Sequence, residues 1–243
     1  LQDRAPELYG GPQVHTAYVR PSDWADRFTT YADAMETNGE AIDAWWRGQD
    51  TTRAPRFDQF AFPCGPQLDL ATVQLQQTGD QLADQTQAFV AIAGALQPIE
   101  LLTSDDYVVV YYDGPASNQN LCGLGGSGLA VVFVDSCPGV DSARVAAHEL
   151  GHALGAVPSS APHVCPDSAH TCDNPNDLMY PYVNGTLASA ILDPGHDDWY
   201  AHSSPWFDVQ DSPFLKHVQE QVHLTVGITG AGEVTSEPTG VDC

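Results

Sequence analysis

The stretch Val140-Asp141-Ser142-Ala143-Arg144-Val145-Ala146-Ala147-His148-Glu149-Leu150-Gly151-His152-Ala153-Leu154-Gly155 decides how the chain is read. Asp141 or Ser142 can accept hydrogen bonds from the free N–H groups that begin a helix, and Gly155 can end one. Ala143, Ala147, Leu150 and Leu154 then form a single apolar stripe, so the helix lies against a core. His148 and His152 stack one turn apart on a different face. Two imidazoles spaced in this way can reach one metal ion at about 2.0–2.1 Å from each nitrogen. Glu149 sits beside them, placed to take a proton from a metal-activated water without being a ligand. The chain holds 9 His among 243 residues, and at that abundance chance produces H-E-x-x-H in roughly one such chain per hundred.

Working upstream, residues 129–134 (LAVVFV) read as a strand, and 123–128 as a glycine-rich turn without the G-x-x-x-x-G-K-[ST] of a phosphate loop. Residues 106–112, with a Val-Val-Val-Tyr-Tyr centre, are a buried strand. Residues 80–96 have helical spacing, while 68–75 and 14–19 alternate as strands. Pro21-Ser22-Asp23 starts a helix that carries Trp24, Phe28, Tyr31, Ala32 and Met35 on one stripe. Asn38-Gly39 kinks or ends it, and Ile42, Trp45 and Trp46 continue the apolar face as core residues. The order β-α-β-α-β-β followed by a helix predicts an α/β (α+β) fold, an N-terminal twisted sheet with helices. Beyond Gly155 the composition turns to Pro, Asp, Ser, His and Asn, which predicts an irregular C-terminal subdomain. The expected organisation is a catalytic unit over 1–221, divided near residue 155, and an extended β tail over 222–243.

Composition narrows the function. Lys and Arg total 8 against 32 Asp and Glu, a formal net charge of -24. Such a surface repels phosphate backbones, so nucleic acid is not an expected partner. No apolar run approaches the roughly 18 residues of a membrane span. The start, Leu1-Gln2-Asp3-Arg4, has no signal-peptide pattern, so a signal has been removed or never existed. Six cysteines without a C-x-x-C pair suggest disulfides and an oxidising, extracellular setting. Proximity pairs Cys122 with Cys137 and Cys165 with Cys172, leaving Cys64 for Cys243.

HELGHALG resembles the metzincin clan of zinc metallopeptidases, whose motif is H-E-x-x-H-x-x-G-x-x-H followed by a methionine turn. The resemblance implies a two-subdomain, secreted endopeptidase with Zn2+ as cofactor and a protein or peptide as substrate. Gly155 matches the clan's glycine, but Pro158 stands where the third histidine belongs. The next histidine, His163, is the expected third ligand after a five-residue detour, with His170, Asp167 and Asp173 as alternatives. His170 lies inside the Cys165–Cys172 loop, which is expected to point it away. Asn176-Asp177-Leu178-Met179-Tyr180-Pro181 resembles the methionine turn, with Met179 as an apolar floor. Tyr180 is a candidate transition-state stabiliser, because Pro181 occupies the clan's tyrosine position. The resemblance also implies that substrate adds to residues 129–134 as to an edge strand. The 222–243 tail looks like the opening of a small repeated β module found on secreted bacterial proteins.

Two other functions fit the same residues. One is a zinc hydrolase with an acidic third ligand, either an aspartate or, as in the thermolysin arrangement, Glu220 on a helix over 211–222. The other is an inactive adhesion module with a vestigial zinc site. The acidic run 193–198 suggests Ca2+ but lacks the D-x-[DN]-x-[DN]-G loop, so a solvated turn is the stronger reading. Asn184-Gly185-Thr186 is a glycosylation sequon, relevant only in a eukaryotic secretory route.

Overall fold

The computed structural model describes Arg4, Leu8 and residues 10–63, 65–183 and 185–218. Cys64, Cys243, Asn184, Glu220 and the 222–243 tail lie outside the described residues. The elements in order are β1 (Gln13–Arg20), α1 (Phe28–Gln49), β2 (Arg53–Pro55), β3 (Gln59–Phe62), β4 (Gly65–Leu68) and β5 (Leu70–Gln74). They continue with α2 (Gln85–Leu96), β6 (Asp106–Tyr112), β7 (Gly123–Gly126), β8 (Leu129–Phe133), α3 (Ser142–Ala153) and β9 (Leu215–His217). The fold is mixed α/β, as expected. A five-stranded sheet runs β5-β1-β6-β8-β7, parallel except for β7, which pairs antiparallel with β8.

Both sheet faces are covered, which explains why β6 and β8 read as unbroken apolar runs rather than alternating ones. On one face α1 and α3 pack over Val14, Tyr18, Val109, Tyr111, Ala130 and Val132. On the other, α2 lays Ala88, Ile92 and Leu96 over Ala17, Val19, Val108, Val110 and Val131. A buried polar link fixes α1 against α3: Asn38 Nδ2 donates to Tyr111 Oη (3.0 Å) and Ser142 Oγ (2.9 Å).

Several local expectations change. Residues 21–27 form turns, and α1 begins only at Phe28. It then passes straight through Asn38-Gly39, because a glycine there leaves room for the Leu68 side chain pressed against the helix. The 80–96 segment divides into a short 3-10 turn and α2, which Asp84 caps by accepting from Gln87 N (2.9 Å). The glycine run 123–126 is a strand, and it is the sheet edge; 129–133, expected at the edge, is flanked by β6 and β7. Residues 215–217 pair with β2 as a strand, not a helix.

After α3 the described chain carries only 3-10 turns and β9. It is tied to α1 by Trp46 Nε1 donating to Tyr200 Oη (3.1 Å), Tyr200 Oη donating to Asp50 (2.8 Å), and Trp45 Nε1 donating to the Ala190 carbonyl (3.1 Å). Cys122–Cys137 and Cys165–Cys172 are disulfide-bonded as expected. No described helix is long and apolar enough to cross a membrane.

The edge strand needs its glycines. A Cβ on Gly125 would run into the Glu149 carbonyl oxygen, and one on Gly123 would lie 2.6 Å from Glu149 Oε1. Gly125→Ala is therefore expected to lower stability by roughly 1–3 kcal/mol in urea titration. Gly94→Ala, in α2 and facing open space, should instead raise it by about 0.5–1 kcal/mol.

Candidate metal centre

Helix α3 is built for placement. Asp141 caps it through Oδ1, accepting from Ala143 N (3.1 Å), while Oδ2 accepts from Leu187 N (2.8 Å) and so ties the helix start to the later chain. Buried Arg144 makes a second tie, donating to the Thr186 carbonyl (3.2 Å) and Ser189 Oγ (3.1 Å). The helix closes with Gly155 N bonded to the His152 carbonyl (3.1 Å) and Ala156 N to the Gly151 carbonyl (2.9 Å). That paired closure requires a left-handed residue, and Gly155 has φ +88°.

The structure brings His170, not His163, to the two helix histidines. His152 Nε2 lies 3.2 Å from His148 Nε2 and 3.2 Å from His170 Nε2. All three atoms fall within 4.8 Å of one another. Nitrogens about 2.0–2.1 Å from one tetrahedral zinc would stand roughly 3.4 Å apart, so the spacing fits a shared ion. Two of the rings are also oriented for it. His148 Nδ1 donates to the Leu178 carbonyl (2.6 Å), and His170 Nδ1 donates to Asp167 Oδ2 (2.7 Å). Each bond places the ring proton on Nδ1 and leaves the Nε2 lone pair directed inward.

Burial holds the two helix imidazoles neutral. His148 is pushed down to about 4, chiefly by burial, and His152 to about 2 by burial and the neighbouring histidines. Imidazoles that resist protonation suit a cation site. Glu149 is 6% exposed and is pushed up to about 8 by burial alone. It stands outside the imidazole group, its side chain against Gly123 of the edge strand.

His163 sits elsewhere. Its Nδ1 is 3.1 Å from Asp198 Oδ2, 3.8 Å from Asp197 and 4.0 Å from Asp173, and the Asp198 bond holds its pKa above the usual histidine range. The two histidines lie at different ends of one hairpin. Cys172 N bonds to the His163 carbonyl (3.0 Å) and Cys165 N to the His170 carbonyl (2.6 Å). The Cys165–Cys172 disulfide thus closes an arm that turns His163 toward the 193–198 segment and His170 toward α3. The loop expected to point His170 away is what delivers it.

Met179 is fully buried, and its sulfur would be 2.5 Å from a Cβ on Gly151, so it sits directly under the helix between the two histidines. Asp177 shapes this turn through Oδ1, which accepts from Met179 N (2.7 Å). A cleft of about 690 Å³ opens over the centre, walled by β7 on one side and Pro181, Tyr182 and Val183 on another. Tyr180 is not among its lining residues, whereas Tyr182 is, and it is 70% exposed.

The chain matches no protein-family model and no curated protein. Among solved structures it is similar to an archaemetzincin from Methanopyrus kandleri, at 13% identity and a TM-score of 0.37 over 72% of this chain and 84% of that one. It is also similar to metalloproteinase-II from Bacteroides fragilis, at 13% identity and a TM-score of 0.38 over 75% of this chain and 50% of that one. A third likeness, to a chain in a chaperone–substrate complex, has 12% identity and a TM-score of 0.41, covering 84% of this chain and 33% of the other. Likenesses this remote do not place the chain in a family.

One consequence of the turn is open to titration. Asp177 is buried, and its Oδ2 faces the Thr171 hydroxyl and Trp199 indole without a well-formed hydrogen bond. Burial raises its pKa to about 7 from 3.8. The unfolded chain therefore releases this proton at lower pH than the folded one, and stability falls as pH rises from about 4 to about 7. The full effect is of order 4 kcal/mol. Asp177→Asn, which keeps the acceptor for Met179 N, should match wild type near pH 4 and exceed its melting temperature at pH 7.

Proposed function

We propose that this chain is a secreted zinc-dependent endopeptidase. The observation that carries the reading is the convergence of three imidazole Nε2 atoms beside a buried glutamate, in an open cleft flanked by a free sheet edge. His148, His152 and His170 would hold the ion. Among the described residues no fourth His, Cys, Asp or Glu completes the group. An open position of that kind favours catalysis over a closed structural site. Zinc bound there supplies Lewis acidity and lowers the pKa of water.

The chain's own residues supply the rest. Among the described residues no strand pairs with the outer edge of β7, whose backbone N–H and C=O groups are offered to an extended peptide that would pair with it as a sixth strand. That would place the scissile bond over α3, where Glu149, ionised once a cation stands beside it, would take a proton from the attacking water and return it to the leaving amine. The low exposure of Glu149 keeps bulk water from competing for that proton. Two disulfides fit an extracellular setting.

Metal content by mass spectrometry, beside casein hydrolysis with and without chelator, tests the reading. About one zinc per chain, with activity lost to chelator and restored by zinc, is expected. Glu149→Gln should keep the metal and lose at least about 100-fold in rate. His170→Ala should lose both, and His163→Ala should retain the metal. Normal turnover by Glu149→Gln would sink the proposal.

A further inference from the structure

We infer that Asp167 is the positioning residue that makes His170 a metal ligand, by fixing which ring nitrogen carries the proton. The inference rests on the proposed metal reading of the three histidines. Its ground is the way one carboxylate serves two ends of the same turn. Asp167 Oδ1 accepts from the backbone N–H groups of Ala169 (3.0 Å) and His170 (3.2 Å), so the turn is wound around it. Oδ2 faces the His170 ring at 2.7 Å from Nδ1. An ionised carboxylate only accepts, so Nδ1 carries the proton and Nε2, on the inner side of the ring, is bare. His148 reaches the same state through a backbone carbonyl, an acceptor that no side-chain change removes.

His170 has no helix to orient it. Its backbone is set by the disulfide-closed arm, through Cys165 N bonded to the His170 carbonyl and Thr171 N bonded to the Met179 carbonyl (3.0 Å). Those bonds place the Cα; rotation of the ring and the choice of tautomer are left to Asp167. The chemistry separates two substitutions. Asp167→Ala removes the acceptor and frees the ring. Asp167→Asn keeps an oxygen for the two N–H groups but turns an NH2 toward Nδ1. The ring then accepts at Nδ1 and carries its proton on Nε2, the atom that faces the other histidines.

The test is zinc affinity of the full chain, measured by competition with a chromophoric chelator. Asp173→Asn, which alters only the His163 side of the arm, serves as the control. Wild type and Asp173→Asn should bind alike. Asp167→Ala should bind about 10–100-fold more weakly, and Asp167→Asn at least as weakly despite an unchanged metal-free melting temperature. The independent readout is the 15N spectrum of metal-free wild type, where His170 should carry its proton on Nδ1, and on Nε2 in Asp167→Asn. Wild-type affinity in both Asp167 variants, or an Nε2 proton on His170 in wild type, would overturn the inference and leave the metal reading standing. A wild type that takes up no zinc would overturn both.

Discussion

The site depends on how closely α3 approaches its neighbours. Two surfaces press on the helix at backbone range, the edge strand β7 from one side and the turn at Met179 from below, and both contacts are possible only because glycine stands at each crossing. Gly123 and Gly125 let the sheet edge lie against Glu149 and the base of His152, and Gly151 leaves the space that the Met179 sulfur fills. Polar ties clamp the same helix from its start, through Asp141 and Arg144 to residues 186–189. The result is a helix unable to rotate without breaking several contacts at once, and rigidity of this kind is what a preorganised ligand pair requires.

Burial then does the electrostatic work. The same packing that holds the imidazoles still also removes them from water, which keeps them neutral, and it raises the Glu149 carboxyl out of its ordinary range. Placement and protonation state therefore follow from one cause. In a chain with a net charge of -24, it matters that the cleft lining contains no carboxylate other than Glu149.

Much of this was legible in the residues. The α3 cap, stripe and closing glycine could be read directly, as could β6 and the two short-range disulfides, because each rests on contacts within a few residues. What failed to show were features set by distant partners. The glycines of β7 look like a turn until α3 is laid against them. The continuity of α1 through Asn38-Gly39 depends on Leu68, and both residues find their reason in contacts far along the chain. His170 stands beside the helix histidines for a subtler reason. The short disulfide loop was expected to hide it, but the arm closed by Cys165–Cys172 is also tied through Thr171 N to the Met179 carbonyl, and that end of the arm lies against α3.

That anchored arm bears on the order of events during maturation. Two of the imidazoles belong to one helix and are in register as soon as it forms. The third stands eighteen positions further on, at a bend whose shape depends on a covalent bond between sulfurs. Before that bond exists, His170 belongs to a longer, looser loop, and bringing it to the others carries the entropy of closing that loop. If the three histidines hold an ion as proposed, the Cys165–Cys172 bond has already met part of the cost of ordering His170 before the ion arrives.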